Sequence, residues 1–273
     1  SAALRVTVQD DMPVASNVTV EIPENVLPKY TIVLTLDISG SMNDQVKSVA
    51  ADGTVTLTTR LAVQKAAVSA LINEYYSQAS DVSVKIVSFS TSATILNGGA
   101  AYASKDAAIA AINGLTAAGW TNYEDALAKT QVAMGATLDP TRSNNVYFLS
   151  DGDPAGAGDL VAPVTSSGYA TYLTLHPEIN SYGVGVGSGI TNVSHLNQIH
   201  NVDALGDGTR DPAIIVADVN KLEESLISTV PAAYGGNVIS ANSAQSVTFG
   251  ADGGYVNQVS LMLDPDGAGV LPE

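Results

Sequence analysis

The chain has 273 residues, of which 45% are hydrophobic and 14% are charged. This is the composition of a globular protein with a sizeable core, and it excludes a disordered chain. Eleven basic against 27 acidic residues give a formal net charge of −16, which disfavours nucleic acid and anionic membranes as partners and favours divalent cations. The chain contains no cysteine, which excludes disulfides, zinc–thiolate sites and cysteine nucleophiles.

No apolar run approaches the length of a transmembrane helix, and no signal peptide is visible in the sequence. We therefore expect no direct insertion into a membrane. The sequence begins Ser-Ala-Ala without methionine and ends in an acidic, glycine-containing stretch, which is typical of a fragment. We expect a monomeric module within a longer chain.

Three segments of the chain differ in their pattern. Residues 1–28 form short β-like stretches between prolines, and residues 233–273 combine β-like stretches with glycine–aspartate turns. We predict that these are β-rich extensions on either side of a central domain at 29–232. The two extensions either pair with each other or belong to neighbouring modules.

The central segment begins with a continuous apolar strand, as expected for a strand covered on both faces. Strands are predicted at 30–36, 82–90, 91–96, 144–150, 179–187 and 213–217. Helices are predicted at 60–79, 105–115, 123–137, 192–200 and 219–230. This alternation predicts an α/β fold with a doubly wound, mostly parallel sheet and helices on both faces.

Polar side chains follow two of these strands directly. Asp37 ends the first strand and Asp151 follows the strand at 144–150, while Ser39 and Ser41 lie in the turn after Asp37. Thr121 stands at the entry to a helix, in a loop expected on the same sheet edge. Ligands of doubly wound sheets bind where strand order reverses, at the carboxyl ends of the strands. We therefore expect these five side chains to converge.

The converging side chains offer only oxygen atoms. Such ligands suit a hard cation, namely Mg²⁺, Mn²⁺ or Ca²⁺. Three hydroxyls and two carboxylates, acting directly or through water, leave one position of an octahedral shell open. A partner would bind at that open position.

Three motifs carry a resemblance to a known family. They are DISGSM at 37–42, WTNYEDAL at 120–127 and FLSDGDP at 148–154. In this order, and on these kinds of element, they resemble the metal-ion-dependent adhesion site of von Willebrand factor A domains, the fold shared with integrin I domains. The resemblance covers residues 29–232.

This resemblance implies a role for each residue of the site. Ser39, Ser41 and Thr121 would contact the metal directly, while Asp37 and Asp151 would act through water or as switchable ligands. Because hydroxyl ligands are neutral, the cation keeps charge with which to bind a carboxylate of a partner. We therefore predict an adhesion module and not an enzyme, with a protein or glycan ligand on a cell or matrix surface.

Residues around the site are expected to form the partner-binding face. The connection at 43–58 is long, and a turn at Asp52-Gly53 predicts a small hairpin there. This hairpin either shapes the choice of partner or is a tolerated surface insertion. The candidate face consists of Asn43, Trp120, Asn122, Tyr123 and Asp153. A buried Trp120 is the alternative.

The flanks are similar to segments between modules of large repetitive bacterial adhesins of the RTX type. The similar stretches are LRVTVQDDMPVASN at 4–17 and SVTFGADGG at 246–254. The similarity implies an extracellular, cell-surface location after type I secretion, although the sequence holds no glycine-rich calcium nonapeptide. Acidic stretches at 205–212 and 264–269 are either further Ca²⁺ sites or plain turns.

An Mg²⁺-dependent hydrolase is the principal alternative among enzymes. The haloacid-dehalogenase pattern needs an aspartate two residues after the first, where this chain has Ser39. A phosphate-binding loop with lysine and a G-x-S-x-G elbow are both absent, and the glycines at 183–189 match dinucleotide spacing poorly. The three histidines lack ligand spacing and are expected in surface or capping roles: His176, His195 and His200.

Two alternatives without catalysis also stay open. In the first, the chain is a structural spacer of a surface protein, in which Ca²⁺ only stiffens the fold. In the second, it is an intracellular member of the same fold that works in a chaperone or metal-insertion complex. The intact motif disfavours the first, and the β-rich flanks disfavour the second.

Overall fold

The structure, a computed structural model, describes residues 27–49, 55–154, 168–204, 206 and 208–231. The predicted C-terminal extension, its pairing with the N-terminal one and the acidic stretch at 264–269 lie outside these residues. The same holds for the N-terminal extension apart from Leu27 and Pro28.

Strands and helices alternate through the described chain. The strands are β1 (Lys29–Asp37), β2 (Gln45–Val49), β3 (Val55–Thr59), β4 (Asp81–Phe89), β5 (Ala93–Ile95), β6 (Ser143–Ser150), β7 (Ile179–Val186) and β8 (Ile214–Val216). The α-helices are α1 (Arg60–Gln78), α2 (Lys105–Asn113), α3 (Tyr123–Met134), α4 (Ala170–Leu175), α5 (Ser194–Ile199) and α6 (Leu222–Ile227). Short 3₁₀ helices cover Gly40–Asn43, Leu96–Gly99 and Val219–Lys221.

The main sheet has six strands in the order β5-β4-β1-β6-β7-β8. All neighbours pair in parallel except β5, which runs antiparallel to β4. The chain moves outward from β1 through β4 to β5, then returns to the other side of β1 and continues from β6 to β8. Strand order therefore reverses between β1 and β6, and the predicted doubly wound, mostly parallel sheet is confirmed.

Helices cover both faces of this sheet, so β1 is buried on both sides. Ile32, Leu34 and Leu36 face one core, which includes apolar side chains of α1, α2 and α6. Val33 faces the other core, which includes apolar side chains of α3, α4 and α5. The continuous apolar run of β1 follows from this double cover.

A pair of buried hydroxyls connects α3 to the central strand. The side-chain oxygens of Thr35 on β1 and Thr130 on α3 lie 2.6 Å apart, and both residues are fully buried. Thr130 Oγ1 also donates to the carbonyl of Ala126 at 2.7 Å. Because Thr130 donates its single hydroxyl proton to that carbonyl, Thr35 is the donor in the hydrogen bond between the two threonines. The bond fixes the helix whose entry carries Thr121.

A buried tyrosine network ties the end of the described chain to the sheet. The hydroxyls of Tyr75 and Tyr147 lie 2.7 Å apart, and Tyr147 also meets Thr229 Oγ1 at 2.7 Å. Tyr182 donates to the carbonyl of Thr229 at 3.3 Å. Burial raises the pKa of Tyr75 and of Tyr147 above the usual range, so both remain neutral donors. The segment after α6 is thereby held against β6 and β7.

Several element boundaries differ from the sequence expectations. The helix expected at 123–137 ends at Met134, because Gly135 follows with a positive φ of 96°. The helix expected at 219–230 begins as a 3₁₀ turn, and α6 itself covers only Leu222–Ile227. No element was expected at α4, whose aromatic and β-branched residues are poor helix formers; burial of Leu173 stabilises it there.

The predicted hairpin is confirmed in its two arms, because β2 and β3 pair antiparallel from Gln45–Thr59 to Val49–Val55. Its predicted turn at Asp52-Gly53 lies outside the described residues. Among the helices that are described, none has the length and apolar composition needed to cross a bilayer.

The capping role expected for the histidines holds for His200, which is the C-cap residue of α5, but its side chain is buried and does not lie on the surface. His200 is only 3% exposed, and its Nδ1 accepts a hydrogen bond from the backbone N–H of Gly183 at 3.3 Å. Burial lowers the pKa of His200. His176 fits the expectation, since it pairs with the exposed side chain of Glu178.

The hydrogen bond between Thr35 and Thr130 predicts that replacing one threonine costs more stability than replacing the other. Thr130→Val removes the acceptor of a fully buried hydroxyl, so we expect it to cost about 1–3 kcal/mol of unfolding free energy. Thr35→Val should cost less, because Thr130 keeps its bond to Ala126. The double variant should be more stable than Thr130→Val alone. Urea unfolding curves would measure all three; two equal costs that simply add would contradict the assignment of the donor.

Candidate metal centre

The site lies at the carboxyl ends of the adjacent strands β1 and β6. Asp37 ends β1 and is fully buried, while Asp151 follows β6 and is 1% exposed. Ser150, the last residue of β6, donates from Oγ to Asp37 Oδ2 at 2.5 Å. The two aspartates therefore converge at the point where strand order reverses, as the sequence predicts.

The turn after β1 carries the two serines toward Asp151. Asp37 Oδ1 accepts the backbone N–H of Ser39 at 2.7 Å, which folds the chain into the 3₁₀ helix that follows. The hydroxyls of Ser39 and Ser41 lie 3.0 Å apart, and Ser41 donates to Asp151 Oδ1 at 2.7 Å. Hydrogen bonds thus join four of the five predicted residues in one cluster.

Backbone bonds bring the loop with Thr121 against the same turn. Ala118 donates its N–H to the carbonyl of Ile38 at 2.7 Å, and Gly40 donates to the carbonyl of Gly119 at 2.9 Å. Gly119 has a φ of +88°, and a Cβ there would lie 2.7 Å from Thr91 Oγ1. Only glycine fits this close approach. Thr121, two residues on, is 6% exposed.

Burial gives the site an unfavourable concentration of negative charge. Desolvation raises the pKa of Asp37 to about 7; the hydrogen bond from Ser150 opposes this rise, and the charge of Asp151 adds to it. Two buried carboxylates beside each other are costly unless positive charge compensates them. A cation at this position would supply that charge.

Sequence reasoning missed a basic residue at the edge of the site. Arg60, the first residue of α1, places Nη1 2.8 Å from Asp151 Oδ2 and 3.2 Å from Asp44 Oδ2. A signal for it existed, because a cation in the first turn of a helix opposes the helix dipole. Acidic neighbours offset this cost, and here Asp44 and Asp151 do so.

The donor chemistry fits a hard divalent cation. Carboxylate and hydroxyl oxygens converge, and no nitrogen or sulfur ligand is among the five residues. Within the described ranges, no group of three or more His, Asp or Glu side chains is arranged to hold a metal. The candidate centre therefore differs from a carboxylate-rich calcium loop, since it combines only two carboxylates with three hydroxyl groups.

Two residues of the predicted partner face do lie on the surface. Asn43 is exposed, and its amide donates to the carbonyl of Ala117 at 3.0 Å. Trp120 is 60% exposed, although its backbone N–H donates to Thr91 Oγ1 at 3.0 Å. The alternative of a buried Trp120 is therefore excluded. Both residues flank the loops that carry the serines and Thr121.

Tyr123 does not lie on the predicted face. It is 1% exposed, and its ring packs edge-on against Phe89 and Phe148. Its hydroxyl donates to the carbonyl of Gly152 at 2.8 Å, next to Asp151. Residues at a helix start point in different directions, so Tyr123 can enter the core although Trp120, three residues before it, is exposed.

Asn122 and Asp153 stabilise local structure around the site. Asn122 caps α3, because its side chain accepts the backbone N–H of Asp125 at 3.1 Å. The Asp153 carboxylate accepts the backbone N–H groups of Thr191 and Asn192 at 3.0–3.2 Å. These bonds occupy the polar atoms that were expected to meet a partner.

The acidic stretch at 205–212 forms a turn around its own backbone in the part that the structure describes. Asp203 and Asp211 accept backbone N–H groups of the same loop at 2.7–2.8 Å. Carboxylates that satisfy local amides are typical of turns. The described geometry thus favours the plain turn over a further Ca²⁺ site at this position.

Residues 32–153, a span that includes the five site residues, match the family model of the von Willebrand factor type A domain. No curated protein gives a significant match. Among solved structures, the von Willebrand factor type A protein from Catenulispora acidiphila is similar, with 18% identity and a TM-score of 0.52. That alignment covers 74% of this chain and 42% of the other.

Two further solved structures are similar. One is proximal thread matrix protein 1 from the mussel byssus with a zinc-occupied MIDAS motif, at 18% identity and a TM-score of 0.51, covering 74% of this chain and 45% of that one. The other is the pilus adhesin SpaC from Lactobacillus rhamnosus GG, at 15% identity and a TM-score of 0.53. That alignment covers 75% of this chain and 30% of SpaC. The chain spans less than half of each relative named, and it has the von Willebrand A fold.

Two glycines beside Asp151 form a matched test of the site. A Cβ at Gly189 would lie 2.1 Å from the carbonyl oxygen of Asp151, whereas a Cβ at Gly152 would have nothing within 4 Å. We expect Gly189→Ala to displace Asp151 and to lower the unfolding free energy by about 1–3 kcal/mol. Gly152→Ala should change little. Urea unfolding and cation titration would measure both, and equal effects would contradict this geometry.

Proposed function

We propose that the chain is a metal-dependent adhesion module that binds an acidic group of a partner through a divalent cation. Asp37, Ser39, Ser41, Thr121 and Asp151 would hold the cation. The observation that carries this proposal is the hydrogen-bonded cluster of carboxylates and hydroxyls at the carboxyl ends of β1 and β6.

The chemistry of these residues supports binding of a partner and not catalysis. The hydroxyl groups of Ser39, Ser41 and Thr121 are neutral oxygen ligands for a cation. The carboxylates of Asp37 and Asp151 already accept hydrogen bonds. A cation bound in this way supplies a Lewis-acidic position for the carboxylate of a partner. The five residues include no histidine, cysteine or lysine, and the two carboxylates that could act as general bases are already engaged as hydrogen-bond acceptors.

The relatives support the adhesive role by analogy. Proteins with von Willebrand A domains often mediate adhesion through such sites; the mussel byssus protein holds zinc in its MIDAS motif, and SpaC is a pilus adhesin. We infer Mg²⁺, Mn²⁺ or Ca²⁺ as the ion here, and a protein or glycan of a cell or matrix surface as the partner. An extracellular location within a longer surface protein follows from this role.

Trp120 is well placed to take part in partner binding. It is the only tryptophan of the chain, it is 60% exposed, and it directly precedes Thr121. An aromatic side chain beside a cation can pack against apolar parts of a ligand while the cation binds its carboxylate. The same residue offers a fluorescence signal at the edge of the site.

Calorimetric titration of the EDTA-stripped protein with Mg²⁺, Mn²⁺ and Ca²⁺ tests the site. We expect Ser41→Ala to weaken the binding of the cation by at least about tenfold, because it removes a ligand oxygen and the donor to Asp151. The change in Trp120 fluorescence that accompanies binding should be weakened in parallel.

Ser69→Ala is the matched control, since Ser69 lies on α1 and only donates to the carbonyl of Lys65. It should bind the cation as the wild type does. Cation binding that Ser41→Ala leaves unchanged would place the ion elsewhere, and it would favour a structural spacer over an adhesion module.

The open position for a partner is tested with Mn²⁺ as the bound ion. We expect Mn²⁺ on the wild-type protein to relax bulk water protons, because at least one coordinated water exchanges at the open position. Added acetate, which stands in for the carboxylate of a partner, should reduce this relaxation. A Mn²⁺ complex that acetate does not affect would contradict the proposed binding mode.

A further inference from the structure

We propose that Arg60 limits the cation affinity of the site, because it competes for Asp151 and keeps that carboxylate from binding the ion directly. This inference rests on the proposed function, since it concerns the same cation. It assigns a regulatory role to a residue outside the five that the motif defines.

Both oxygens of Asp151 are engaged in the structure. Oδ1 accepts the hydroxyl of Ser41 at 2.7 Å, and Oδ2 accepts Nη1 of Arg60 at 2.8 Å. The Asp151 side chain is fully buried, so water does not weaken this ion pair from the carboxylate side. Direct coordination of a cation by Oδ2 therefore requires that the contact with Arg60 be given up.

Arg60 is held in place by its surroundings. Its backbone N–H donates to the carbonyl of Asp44 at 3.1 Å, and its Nη1 lies near the Asp44 carboxylate and 3.4 Å from the carbonyl of Ser41. The side chain is 17% exposed. The arginine is thus fixed at the base of the hairpin formed by β2 and β3, with its charge directed into the site.

The positive charge of Arg60 opposes the binding of a divalent cation beside Asp151. The guanidinium group of Arg60 carries a positive charge. It already compensates part of the negative charge of Asp151 and Asp44, which lowers the gain from binding a divalent ion. With Asp151 paired to Arg60, the ion would depend mainly on neutral hydroxyl oxygens, so its charge would be poorly neutralised on the side of a partner.

The alternative is that Arg60 only stabilises the fold through its ion pairs. The two roles differ in what removal of the guanidinium does. A purely structural arginine affects unfolding and leaves cation affinity unchanged. A competing arginine, when removed, makes the protein without cation less stable and the complex with cation tighter.

Arg60→Gln and Arg142→Gln form a matched pair for the test. Arg142 also has a side chain that is 17% exposed and also pairs with an aspartate, Asp81. It lies next to the amino ends of the strands, since it precedes β6 and donates to the carbonyl of Tyr30. Both substitutions remove one positive charge from the chain, so a general effect of net charge appears equally in both.

Calorimetric titration with Mg²⁺ would compare these variants with the wild type. We expect Arg60→Gln to bind Mg²⁺ at least about tenfold more tightly, which corresponds to 1.4 kcal/mol, and Arg142→Gln to match the wild type. Arg60→Lys keeps the positive charge without the planar guanidinium group, so it should bind Mg²⁺ with intermediate affinity. This variant tests the inference if Arg60→Gln does not fold.

The unfolding midpoint provides a second readout. The EDTA-stripped Arg60→Gln variant should unfold at a lower temperature than the wild type, and saturating Mg²⁺ should raise its midpoint by more than it raises that of the wild type. Mg²⁺ affinity that is unchanged or weaker in Arg60→Gln would overturn the inference while leaving the proposed function intact. Failure of the proposed function itself would appear separately, as wild-type Mg²⁺ binding that Ser41→Ala does not weaken.

Discussion

The buried carboxylate of Asp37 is the constraint on which the rest of the site depends. It ends the central strand, between β4 and β6, where water cannot solvate it. Its two oxygens therefore need donors from the protein, and Ser39 and Ser150 provide them. The first bond shapes the turn that positions the serines, and the second ties β1 to β6, the strand that Asp151 follows. The geometry of the cluster follows from satisfying one acidic group.

The sequence was sufficient to predict the sheet and the convergence of the site. Parallel strands place their carboxyl ends on one edge, so Asp37 and Asp151 could be brought together from the order of elements alone. The direction of single side chains could not be predicted, because it depends on tertiary packing. Tyr123 enters the core although it follows Thr121 by two residues, and Arg60 reaches an aspartate 91 positions away.

Residues outside the five proposed ligands also determine the site. Gly119 and Gly189 let two backbone segments approach closer than any side chain would allow, one beside Thr91 and one beside Asp151. Tyr123 fixes the carbonyl of Gly152, and Asp153 fixes the loop at Thr191. The positions that determine the geometry of the site therefore extend beyond the motif.

The large negative charge of the chain affects how fast a partner can arrive. At a net charge of −16, an acidic partner would be repelled at long range, and attraction to the proposed cation would operate only within about 8 Å at physiological ionic strength. Added salt screens the long-range repulsion more than the short-range bond, so the association rate is expected to rise with salt. This would be the reverse of an electrostatically steered encounter, and under the proposed function it would favour partners that present their carboxylate on a neutral or basic surface.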